Sequence, residues 1–151
     1  MISFRPITVA EFRRESPAIL AEHYDELTRD KDVVKLAPNW EGYESLERAG
    51  KLYTISAWDD GELVGYSVFL YGTSLHYRET MFAVNDVLFL RASHRVGSTG
   101  LRLIRECEKQ LAVLGVKKII WRVKYGTTME KLLPRMGYES EEHTFTKLLG
   151  E

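Results

Sequence analysis

Val84-Asn85-Asp86-Val87-Leu88-Phe89-Leu90, then Arg95-Val96-Gly97-Ser98-Thr99-Gly100, then a run to Leu114: this is the stretch on which the fold turns. Its first part is nearly all apolar and strand-like, with one carboxylate in the middle. In the last part Leu101, Ile104, Cys107, Leu111 and Leu114 recur at helical spacing, and Gly115 stops the helix. A glycine-containing loop that opens a helix gathers unpaired backbone N–H groups at the positive end of the helix dipole, which suits a phosphate. A loop of Gly, Ser and Thr can equally be a plain turn and cap. The charge around it favours the phosphate. Nine Lys or Arg against two Glu leave residues 91–124 at +7, while residues 1–90 carry −6 and the whole chain −1. Positive charge collected in one place is what a polyanionic ligand favours.

Outward from this stretch, Leu52 to Trp58 and Leu63 to Tyr71 read as two strands of a hairpin around the turn dipeptide Asp60-Gly61. Ile2 to Ile7 is a short strand. Thr8 and Glu11 form a capping box, so a helix begins near Val9. Ser16-Pro17 starts a second helix bearing Ile19, Leu20, His23 and Leu27 on one face, and Asn39 caps a short one with Trp40, Tyr43 and Leu46. Beyond Gly115, Ile119, Trp121 and Val123 alternate on a strand. Thr127 and Glu130 form a second capping box before a helix holding Pro134, and Glu141 to Leu149 reads as a last strand. The hairpin makes the early sheet antiparallel. The crossover from Leu90 through a helix to Ile119 makes the next pairing parallel, so an α/β (α+β) fold with a mixed central sheet and helices on both faces is expected.

At 151 residues, 44% of them apolar, the chain reads as one soluble domain, residues 1–151, with no membrane span. A single cysteine excludes an internal disulfide and fits a reducing compartment; Cys107 reads as a core residue. His23, His76, His94 and His143 show no metal spacing, and no metal is expected. His94, beside Arg95, is expected to touch a phosphate or solvent. The basic segment lacks the interleaved aromatics of a single-strand binder, which disfavours nucleic acid. The sequence is silent on oligomeric state, and a homodimer is compatible with it.

The loop and the order of elements resemble the GNAT N-acetyltransferases, especially the small single-domain members of phages and prophages. That family's signature is R/Q-x-x-G-x-G/A between the fourth strand and its helix. Arg95 takes the first position, Gly100 the last, and Ser98 stands where the first glycine is usual. The resemblance implies strands 4 and 5 splayed around acetyl-CoA, and a cytoplasmic enzyme, in a host cell for a phage protein. It implies that Arg95, Val96, Gly97, Ser98, Thr99 and Gly100 hold the pyrophosphate, and that the backbone of Leu88, Phe89 and Leu90 pairs with the pantetheine arm. A backbone N–H near Leu88 would face the thioester oxygen.

The chemistry so implied is transfer of an acetyl group to a primary amine, small molecule or protein, by direct attack on the thioester. An amine of pKa about 10.4 must first lose a proton. Asp86, two residues before Leu88, is the candidate base, and burial in an apolar strand is expected to raise its pKa. A structural role, tying down the strand, is the competing reading. Asn85 should face away from it. The usual acidic Tyr of the family corresponds to Leu133 here, and the usual Asn after strand 5 to Gly126. Tyr77 and Tyr125 are expected to pack rather than react. An alternative is a catalytically weak CoA-binding module that acts by binding a host protein.

Overall fold

The computed structural model describes residues 1–150. Five strands form one sheet in the order β1-β2-β3-β4-β5: β1 (Ile2–Pro6), β2 (Leu52–Asp59), β3 (Glu62–Thr73), β4 (Met81–Leu90) and β5 (Lys118–Ile120). Neighbours are antiparallel except β4 and β5, which run parallel. One face is covered by α1 (Val9–Glu15), α2 (Pro17–Leu27) and α3 (Trp40–Arg48), which pack Phe12, Ile19, Trp40 and Tyr43 against Tyr66, Val68 and Phe89. The other is covered by α4 (Thr99–Val113), whose Leu103, Cys107 and Leu111 meet Ile55, Phe69 and Ala83. A last helix, α5 (Thr128–Arg135), follows β5.

Local chemistry explains most of the boundaries. Thr8 accepts a hydrogen bond from the Glu11 amide and starts α1, while Asn39 accepts from the Gly42 amide and starts α3. Asp60 and Gly61 both have positive φ, 49° and 82°, the backbone of the tight primed turn that matches strand twist. Gly115, at φ 92°, ends α4, and the next amide, Val116, bonds back to Leu111 O. Ser16 precedes α2 without a side-chain cap, and Pro17 fills the first position.

Three expectations need correction. Thr127 gives α5 no side-chain cap: its hydroxyl donates to Lys124 O, and Glu130 accepts from the Gly126 amide rather than from Thr127. β5 is only three residues long, so Trp121 and Val123 lie beyond it. Residues 141–149 form no strand, and Phe145 and Leu149 are exposed. Glu141 pairs with Lys118 at the start of β5, and β5 offers an edge of only three residues. An alternating pattern makes a strand only where another backbone receives its hydrogen bonds.

Candidate active site

β4 and β5 are paired only through Phe82–Lys118, Ala83–Ile119 and Val84–Ile120. Their pairing stops at Val84, where β5 also ends, and β4 is irregular just beyond that point. Val87 stands opposite Val68 and Asn85 opposite Phe69, so Asp86 is an extra residue, a β-bulge. Asn85 is buried beneath α4, where its Nδ2 lies 3.0 Å from Ser67 Oγ, 3.3 Å from Val68 O and 3.0 Å from Val87 O. Those acceptors pin the bulge from inside. Asp86 is turned out on the opposite face and is exposed. The Tyr43 phenol there is pushed up by burial first and by the negative charge of Asp86 second, which puts the two groups near each other. The burial expected of Asp86 is therefore absent, because a bulge residue leaves the plane of the sheet.

After the bulge β4 has an open edge. The Arg91 amide bonds to Val64 O on β3, and antiparallel ladders alternate, so Val87 and Phe89 also face β3. Leu88 and Leu90 turn their N–H and C=O groups toward the gap. Phe89 instead offers a buried side chain on the α2 face. Leu90 O accepts from Arg95 Nε at 2.6 Å.

Beyond a single turn at Ala92–His94, the loop meets α4. The first backbone bond inside α4 runs from the Arg102 amide to Ser98 O, and Thr99 N bonds Val96 O. Among the described residues, the amides of Val96, Gly97, Ser98, Gly100 and Leu101 have no protein acceptor. Gly97 takes φ +57°, a turn that opens the loop; a Cβ at Gly100 would meet nothing within 4 Å. Thr99 is buried under the loop.

The positive charge is less free than its count implies. Arg95 forks onto Glu26 of α2, and Arg91 is paired with Glu22 and Glu62. Lys118 holds Glu141. Arg102, Arg105, Lys109, Lys117, Arg122 and Lys124 carry no ion pair among the described residues. Lys124 Nζ donates to Leu27 O, so the end of α2 is tied to both margins of the opening, to β4 through Arg95 and to the chain after β5 through Lys124. His94 does not face a phosphate site: its Nε2 lies 3.0 Å from Asp59 Oδ2. Cys107 is a core residue, its thiol pushed up to about 12 by burial. Tyr125 is largely exposed rather than packed; Tyr77 is also largely exposed, though its ring meets that of Phe82 at 6.1 Å. Leu133 is buried.

One group was passed over in the sequence. His23 stacks on Phe89 (ring centroids 4.8 Å apart, planes at 14°), and its Nδ1 lies 2.5 Å from the hydroxyl of fully buried Tyr66. Its helical spacing with Ile19 and Leu27 marked only a face; no local signal names a partner 43 residues away. Burial, with Lys124 and Arg95 nearby, brings the imidazole down from 6.5 to about 4 despite the opposing charge of Glu26. The sign of the consequence follows. Between pH 6.5 and 4 the unfolded chain takes up a proton at His23 that the folded chain refuses, so stability falls as pH falls through that window. With partial exposure allowed for, the loss is about 2 kcal/mol. Glu11, Glu26 and Asp59, held low by hydrogen bonds from Arg5, Arg95 and His94, act in the same direction but below about pH 4.5. Denaturant unfolding at pH 7 and 5 should show about half of this loss in the native chain and none of it in His23→Gln; equal pH dependence in both would contradict it.

No helix among the described residues is long and apolar enough to cross a membrane. No family model matches the chain, and no curated protein matches it. Solved structures do. An aminoglycoside acetyltransferase from an uncultured soil metagenomic sample superposes with a TM-score of 0.79 at 15% identity, covering 99% of each chain. A ribosomal-protein-alanine N-acetyltransferase from Brucella melitensis biovar Abortus 2308 gives 0.73 at 16% identity over 99% of this chain and 100% of its own. Glucosamine-6-phosphate N-acetyltransferase from Arabidopsis thaliana gives 0.72 at 10% identity over 99% of each. With its mixed five-stranded sheet, its parallel β4 and β5, and helices on both faces, the chain has the GNAT acetyltransferase fold.

Proposed function

We propose that the protein is an acetyl-CoA-dependent N-acetyltransferase acting on a primary amine. The observation that carries this is the conjunction of two features at one end of the sheet. β4 parts from β5 at the Asp86 bulge, and the loop after β4 presents amides without protein acceptors. The residues fit the cosubstrate. Val96, Gly97, Ser98, Gly100 and Leu101 would donate to a pyrophosphate at the start of α4, with Arg95 and Thr99 shaping the loop. Leu88 and Leu90 would pair with an amide-bearing arm as a further strand would. When bound, acetyl-CoA supplies an activated acyl group.

Asp86 is the candidate base in this reading. It stands at the bulge, exposed on the face of Tyr43, where an ammonium acceptor could both be attracted and lose its proton. Leu133 offers no acid for the departing sulfur, but a thiol of pKa about 8.5 gives a thiolate that leaves without one.

Ligand binding tests the proposal directly. Acetyl-CoA at about a hundred times its Kd should stabilise the fold by about 2.7 kcal/mol. In a chain of this size that raises Tm by roughly 5–10 °C. A melting curve unchanged by both acetyl-CoA and CoA would refute the cofactor assignment.

A further inference from the structure

His23 is a buried titratable group to which nothing above gives a task, and its surroundings are built rather than incidental. α2 carries it over the place where β4 and β5 part. Arg95, which follows β4, and Lys124, which follows β5, are both near enough for their charges to act on its ring, and Glu26 acts from its own helix. Phe89 supports the ring from below, one residue after Leu88, whose N–H faces the opening.

Tyr66 decides which nitrogen carries the hydrogen. Its hydroxyl is fully buried, and among the described residues His23 Nδ1 is its only partner. Burial raises the phenol well above its ordinary value, so it keeps its proton. If Nδ1 were the donor, the buried phenolic hydrogen would have no acceptor. If the phenol donates, nothing is orphaned. The satisfied arrangement leaves the imidazole hydrogen on Nε2. Among the described residues that nitrogen has no protein partner, and it is not wholly buried.

We infer that His23, held as the Nε2–H tautomer by Tyr66, is a second hydrogen-bond donor to the acyl oxygen during acetyl transfer. This rests on the acetyl-transfer reading above. The amine nitrogen forms a bond to the thioester carbon, and the C=O π pair moves onto oxygen. Nε2–H and the Leu88 N–H donate to that oxyanion without giving up their protons. The C=O re-forms as the C–S bond breaks, CoA leaves as thiolate, and the proton from the amine passes to Asp86 and then to solvent. A neutral donor suits this task because it cannot be lost to ionisation at neutral pH.

The test uses the full chain labelled with 15N. Imidazole nitrogen shifts should show His23 neutral and Nε2-protonated from pH 5.5 to 8, and Tyr66→Phe should shift population toward Nδ1–H. On adding acetyl-CoA, the His23 Nε2 signal should move together with the amides of Val96 to Leu101. With water as acceptor, His23→Phe should release CoA about a hundredfold more slowly at an unchanged Kd for acetyl-CoA, and His23→Gln, which keeps a donor, should recover part of the rate. A native Nδ1–H tautomer overturns the inference. So does a His23 signal that stays still while the loop amides move, or a His23→Phe rate equal to the native one. If the loop amides also stay still, the cofactor reading falls first and this inference with it.

Discussion

Asp86→Asn should lower the rate of CoA release in the presence of amine acceptors by about a hundredfold while leaving acetyl-CoA binding intact. The substitution keeps the size and shape of the side chain and removes only its ability to take a proton. The side chain is exposed, and among the described residues it makes no hydrogen bond or ion pair, so the fold should not feel the change beyond about 0.5 kcal/mol. A loss confined to turnover therefore means a proton-transfer role. The measurement is release of free thiol from acetyl-CoA across a panel of primary amines, with Kd and Tm recorded for both proteins. If every amine that the native protein accepts is acetylated equally fast by the variant, Asp86 is a structural bulge residue and the base lies elsewhere. The fold itself offers the structural role as a real competitor, since Asn85 and Asp86 together make the bulge from which the two strands part.

Phe12→Ala should cost about 3–5 kcal/mol, a large share of the 5–15 kcal/mol typical of a folded chain. Phe12 is 1% exposed. Its ring meets Tyr66 at 5.0 Å, Trp40 at 5.8 Å and Tyr43 at 6.2 Å, so one side chain ties α1 to α3 and both to β3. Alanine leaves a cavity that three large rings cannot fill by small movements. Thermal unfolding should shift down by roughly 10 °C or more. Phe145→Ala is the control: the same chemical change at a side chain 91% exposed should fall within about 0.5 kcal/mol. Similar losses at both positions would mean that the α1–α3 face is not packed as described. The first substitution should also disturb His23 and Asp86, because Tyr66 and Tyr43 are their neighbours.

The elements that could be read from residue types were those whose cause is local. Asp60-Gly61 makes its turn through backbone freedom at two positions. Thr8, Asn39 and Gly115 stop or start helices by bonds to residues three to five positions away. Cys107 was legible as core because its helical stripe is apolar on both sides. The candidate site was legible as a region, the end of β4 and the start of α4, since amides at a helix entrance are unpaired in any helix.

What the residue order could not show was how that region is populated from elsewhere in the chain. Asp86 reads as one more strand position, and only its register against β3 makes it a bulge turned to solvent. Arg95 reads as free positive charge, and only folding brings Glu26, 69 residues earlier, to its guanidinium. The alternation from Glu141 to Leu149 has no partner edge long enough to make it a strand. Spacing reports which face a side chain shares with its near neighbours. Burial, pairing and the field at a titratable group depend on atoms brought together over tens of residues, and for His23 the packing of α2 on the sheet set all three.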